Sequence, residues 1–101
     1  MPRVYNFIYR QLVKDESDVV GHIAYSLYKA DKISFIEDYK KKHENQEPSD
    51  ERFEHFHESC CLPANIQRYR MQAVEILQGF VDDTLEETTK QIEADYVKHQ
   101  D

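Results

Sequence analysis

His55, His57, Cys60 and Cys61 form a string, H-x-H-x-x-C-C, whose residue types could do chemistry. On a helix, His57 and Cys61 stand one turn apart and His57 and Cys60 nearly so, which would turn soft ligands toward one zinc ion. Structural zinc takes four protein ligands, typically two from each of two elements, and the other histidines, His22, His43 and His99, are isolated in the sequence. His55 points about 200° around a helix from His57, outside a shared coordination sphere. We therefore expect no metal site. His57, Cys60 and Cys61 are the candidates if there is one, and otherwise a cysteine here packs as a small hydrophobe between helices.

The same residues are a poor start for catalysis. A cysteine nucleophile needs a base held by a third group, and although His57 near Cys60 or Cys61 offers a dyad, no glycine-rich oxyanion loop accompanies it. The carboxylate pairs Glu54–Glu58 and Asp82–Glu86 have the i,i+4 spacing seen in di-metal bundles. Such bundles need Glu-x-x-His from two helices, and Glu54-His55-Phe56-His57 supplies it once. These acids read as solvated helix faces. No cofactor and no catalytic residue are expected, and the elements that carry these residues are the better guide to function.

Only two glycines and three prolines in 101 residues are too few for the turns of a β-sandwich, while 33% charged and 40% hydrophobic residues suit amphipathic helices on short connections. The expected fold is all-α: four short helices followed by one long C-terminal helix at about 63–99, in a single domain. A net charge of −7 argues against binding nucleic acid, which is driven by clustered Lys and Arg. Adjacent cysteines rarely meet disulfide geometry, and no charged-then-apolar leader opens the chain, so a reducing, cytoplasmic location is expected. No stretch approaches the ~20 apolar residues that span a bilayer, so no membrane insertion by this segment is expected.

Ile8 and Leu12 recur with Tyr5 at helical spacing and set a first helix at about 3–14. Asp15 or Ser17 can cap a second, with Asp18 in its first turn and Val19, Val20, Ile23, Ala24 and Leu27 on its apolar face. Gly21 costs up to ~1 kcal/mol inside a helix relative to alanine, so it marks close approach of a neighbouring backbone. Asp31 can cap a third helix carrying Ile33, Phe35, Ile36 and Tyr39, which closes on Lys40, Lys41 and Lys42 where cations complement the dipole. Asn45 to Pro48 read as a loop. Ser49 then caps a fourth helix with Asp50 and Glu51 in its first turn and Phe53, Phe56 and Cys60 along one face. Tyr5, Tyr25, Tyr28, Tyr39 and Tyr69 are expected in or near the core.

Pro63 suits the first turn of the last helix, where its missing N–H costs nothing. Ile66, Tyr69, Ala73 and Ile76 begin a stripe facing the earlier helices. A second stripe, Val74, Leu77, Val81, Leu85, Thr88, Ile92 and Tyr96, repeats at spacings three, four, four, three, four, four. That eleven-residue repeat matches three turns nearly evenly, so the stripe stays almost straight. A helix of this length is about 50 Å long, more than the diameter of a 100-residue globule, so its distal part must project or lie in an interface. Val81, Leu85, Ile92 and Tyr96 are the expected interface residues.

The segments Tyr5-Asn6-Phe7-Ile8-Tyr9, Leu12 to Asp18, Gly21 to Lys29 and the loop at Glu47-Pro48 resemble a group of small, uncharacterised bacterial proteins. In that group a helical cytosolic domain is usually followed by a C-terminal hydrophobic anchor. The resemblance implies tethering to the inner membrane in a longer native chain, and no assigned activity. No such anchor lies within the 101 residues.

Taken together, the residues point to a non-enzymatic helical module that binds a protein partner or, more simply, a second copy, as a two-fold, antiparallel dimer. The alternatives are the cytosolic regulatory domain of a membrane-tethered protein and an acidic helical inhibitor that mimics nucleic acid.

Overall fold

A computed structural model describes residues 4–98, with side chains from Phe7 onward; the side chain of Tyr5 and the residue His99 lie outside what is described. Among the described residues the fold is all-α, with four helices in the order α1 (Val4–Leu12), α2 (Val19–Lys42), α3 (Asp50–Cys60) and α4 (Pro63–Lys98). The long C-terminal helix begins at Pro63 as expected. The expected second and third helices are one continuous helix of 24 residues, α2. Nothing between Tyr28 and Ile33 breaks a helix, and the Asp31 carboxylate, instead of capping backbone N–H groups, accepts from the Tyr69 hydroxyl across the fold.

Capping fixes the other ends. Asp18, and neither Asp15 nor Ser17, is the N-cap of α2, its Oδ1 accepting from the Gly21 N–H at 3.0 Å. Its Oδ2 accepts from the Lys14 N–H at 3.0 Å, which turns the chain after α1 and ends that helix two residues early. Asp15 closes a local turn, accepting from the backbone N–H of Ser17 at 2.8 Å. Ser49 caps α3 by accepting from the Arg52 N–H at 3.3 Å. Between α2 and α3, Glu44 and Asn45 take positive φ of 55° and 66° to reverse the chain.

The core lies where α1, α2, α3 and the first third of α4 meet. Ile8, Leu12, Val13, Ala24, Tyr28, Cys60, Tyr69 and Ala73 are buried in it. Gly21 is where the close approach occurs: a Cβ there would meet Leu12 O and Asp18 Oδ2 at 2.5 Å and Val13 Cα at 2.8 Å. An aromatic layer of half-buried rings extends the core along α2 and α3, with Phe35 stacked on Phe56 at 4.7 Å and Phe53 edge-on to Phe35 at 5.9 Å.

Beyond that core α4 leaves the globule. Its buried stripe ends at Ala73: Ile76, expected to continue it, is 50% exposed, and Leu77 is the last half-buried residue of the helix. At ~1.5 Å per residue α4 is about 54 Å long. The molecule measures 70 × 33 × 22 Å with a radius of gyration of 20.1 Å, well above the ~13 Å of a compact chain of this size.

Candidate functional site

Two places in the fold gather side chains that could act: a polar cluster inside the core, and the surface running from a groove at the α1–α2 turn along α4. The inner cluster contains two of the three metal candidates. His57 is buried on α3 with Nδ1 2.7 Å from the Tyr28 hydroxyl on α2. Burial, and then the positive charges of Lys32 and Lys29, hold its pKa below the ordinary histidine value. The neutral ring shares a hydrogen bond with the Tyr28 hydroxyl through Nδ1, its direction set by the tautomer.

Cys60 faces a different partner. The Tyr69 hydroxyl donates to Asp31 Oδ2 at 2.6 Å, and the Cys60 Sγ lies 3.5 Å from the Tyr69 hydroxyl oxygen. With the tyrosine hydrogen committed to Asp31, the thiol is the donor. Burial pushes the Cys60 thiol pKa up, and burial with the neighbouring Cys60 does so for Cys61, so both thiols stay protonated and poorly nucleophilic. Burial also raises the pKa of Tyr28, and burial with the Asp31 bond raises that of Tyr69.

The H-x-H-x-x-C-C string is thus dispersed by the fold. His57 turns to Tyr28, Cys60 to Tyr69, Cys61 lines the outer groove, and His55 is exposed. Among the described residues no group of three or more His, Cys, Asp or Glu side chains is placed to hold a metal ion. The carboxylates Glu54, Glu58, Asp82 and Glu86 are exposed, Asp82 accepting from Gln78 at 3.1 Å and Glu86 pairing with Lys90 at 3.3 Å. The inner cluster ties α2 to α3 and α4 and satisfies its own polar groups.

The outer surface has a built corner. Arg70 of α4 reaches into the α1–α2 turn, donating from Nη1 to Asp18 Oδ2 at 2.9 Å and to the Leu12 carbonyl oxygen at the end of α1. One guanidinium therefore joins three elements. Beside it lies an open groove of about 560 Å³, lined by Lys14, Val20, Cys61, Ile66, Met71 and Val74, with Arg70 along its side. That volume falls in the range of small-molecule clefts, ~300–1,000 Å³, although this one is a surface trough.

From the groove the same face of α4 runs outward. Val74 is 50% exposed, Val81 41%, Leu85 60% and Ile92 and Tyr96 64% each. Every residue from Gln78 to Lys98 is exposed. The expected interface residues are thereby free of the chain's own helices. Phe80 and Val97, on other faces, are also exposed and were not picked out by the stripe. The Arg70 corner and the groove were equally invisible in sequence, because Lys14, Asp18 and Arg70 carry no shared spacing.

Among the described residues no helix is long and apolar enough to cross a membrane. No family model, curated protein or solved structure matches the chain.

Proposed function

We propose that this chain is a non-enzymatic interaction module that self-associates through α4. One observation carries the reading: about 20 residues of continuous helix, Gln78 to Lys98, are exposed on every side while presenting Val81, Leu85, Ile92 and Tyr96 in a line. An isolated helix of that length is marginal in water, and most helical stability comes from burying an apolar face. A contiguous exposed apolar strip rimmed by polar residues marks an interaction surface. A second copy is the simplest partner, since it brings an identical strip, and two-fold closure uses both strips at once.

The polar cluster of Tyr28, His57, Cys60 and Tyr69 supports the non-enzymatic part of the reading. Its members are buried, bonded to one another and held in their neutral forms, with no reactive group offered to solvent. The two free cysteines accord with a reducing, cytoplasmic setting.

Light scattering across micromolar concentrations tests the proposal. The wild type is expected to scatter as a dimer of the 12.1 kDa chain, and Leu85→Asp as a monomer, because the substitution buries an unpaired charge. A wild type that stays monomeric to several hundred micromolar overturns it.

A further inference from the structure

The groove at the α1–α2 turn and the exposed strip of α4 are one surface. At about 100° per residue, Gln67, Met71 and Val74, which line the groove, project within about 40° of Leu85, and so do Val81, Ile92 and Tyr96. The wall of the groove therefore continues, without rotating away, into the strip. The carboxylates of the distal half do not interrupt it: Asp82, Glu93 and Asp95 flank the strip at about 60–80°, and Asp83 and Glu87 lie behind it.

The strip is also nearly palindromic. Reversed about Leu85, Val74 falls on Tyr96, while Leu77 falls within one residue of Ile92 and Val81 within one residue of Thr88, offsets of about 1.5 Å. An antiparallel copy in this register sets Val74 against Tyr96, Leu77 beside Ile92 and Leu85 against its own copy, with Val81 beside Thr88. A shift of one residue, which sets Leu77 on Ile92 and Val81 on Thr88, keeps the pairing and still brings Tyr96 within one residue of Val74.

Charge gives the ends a direction. The distal half of α4, residues 79–98, carries six carboxylates against Lys90 and Lys98, and the last of the six, Asp95, stands in the final described turn with Lys98. In the palindromic register the last turn of one copy comes level with Gln72 to Val74 of the other, at the mouth of the groove. There Lys14 and Arg70 stand, and among the described residues the Lys14 ammonium pairs with no carboxylate.

Resting on the self-association reading above, we infer that the groove lined by Lys14, Met71 and Val74 is the receptor for the last turn of α4 of a second copy. The two chains lie antiparallel about a two-fold axis at Leu85, and each seats Tyr96 against Val74 of the other. The two grooves are filled reciprocally, so the assembly closes at two.

Disulfide trapping tests the register directly. In a Cys61→Ser background, with Cys60 only 6% exposed, mild oxidation is expected to link Leu85→Cys to itself, since the two-fold axis brings the paired Cα atoms within the ~7 Å a disulfide allows. Val81→Cys is expected not to link to itself, because its two copies would be eight residues, about 12 Å, apart along the axis. A mixture of Val74→Cys and Tyr96→Cys chains is expected to give a linked heterodimer. Lys14→Glu is expected to raise the dimer dissociation constant about tenfold at low salt, and less at high salt.

Equal linking at Leu85 and Val81 would show parallel chains and overturn the groove inference while leaving self-association standing. A dimer by light scattering that links at none of these positions does the same. A monomer by light scattering overturns both.

Discussion

Arg70 Nη1 lies 2.9 Å from Asp18 Oδ2, and this pair joins the first half of α4 to the residue that caps α2. The hydrogen bond from Arg70, followed by those from the backbone N–H groups of Lys14 and Gly21, holds the Asp18 carboxyl far below the usual carboxylate range. A carboxylate depressed in the folded state stabilises the fold at pH values above the unfolded pKa of ~3.9, and that stabilisation is lost as pH falls through and below it. Asp18→Asn keeps a competent helix cap but removes the charge. We expect its Tm to lie below that of the wild type at pH 7 and the gap to shrink between pH 5 and pH 2. Parallel Tm curves for the two proteins would mean that the ion pair contributes nothing and that only the cap matters.

The two glycines should respond in opposite senses to the same substitution. A Cβ at Gly21 would press on Leu12 O and Val13 Cα, backbone atoms that cannot swing aside, whereas one at Gly79 meets nothing within 4 Å. Gly21→Ala is expected to destabilise by about 1–3 kcal/mol through overpacking. Gly79→Ala is expected to stabilise α4 by up to ~1 kcal/mol through helix propensity. Urea unfolding of both variants decides the point. A neutral Gly21→Ala would show that α1 and α2 do not approach as closely as described.

The buried bond between Tyr28 and His57 has its own pH signature. The folded pKa of His57 is lowered, so its contribution is complete above the unfolded value of ~6.5 and declines as pH falls below it, where the unfolded chain takes up the proton first. Wild-type Tm is expected to decline from pH 7 to pH 5. In His57→Gln, which retains an acceptor for the Tyr28 hydroxyl without titrating, that decline is expected to flatten. An equal slope in both proteins would show that His57 does not set the decline.

Much of the architecture was legible before any coordinates. Pro63, Ser49 and the sparsity of glycine announce α3 and α4, because capping and proline act on the backbone within a few residues of themselves. Gly21 announced a close approach for the same reason: a helix carries an interior glycine against its propensity only where something else gains. The long strip from Val74 to Tyr96 was readable because helical periodicity is a local property.

What was not readable was every partnership across the fold. Asp31 looks like a cap in sequence because aspartate often is one, and only the arrival of Tyr69, 38 residues later, turns it into an acceptor inside a continuous α2. His57 and Cys60 look like ligands of one metal because they are three residues apart, yet α2 and α4 draw them to Tyr28 and Tyr69 respectively. Arg70 gives no signal in the sequence that its guanidinium closes the corner between α1 and α2.

The sequence by itself determined the all-α class, the Ser49 cap of α3, the start of α4 at Pro63 and the straight apolar line of α4, since those follow from interactions over three or four residues. Tertiary structure alone decided which polar groups pair, where the groove opens and at which residue α4 leaves the core. Those outcomes depend on how four helices cross in space. Their crossing is set by the summed packing of Ile8, Leu12, Ala24, Tyr28, Tyr69 and Ala73 rather than by any one spacing along the chain.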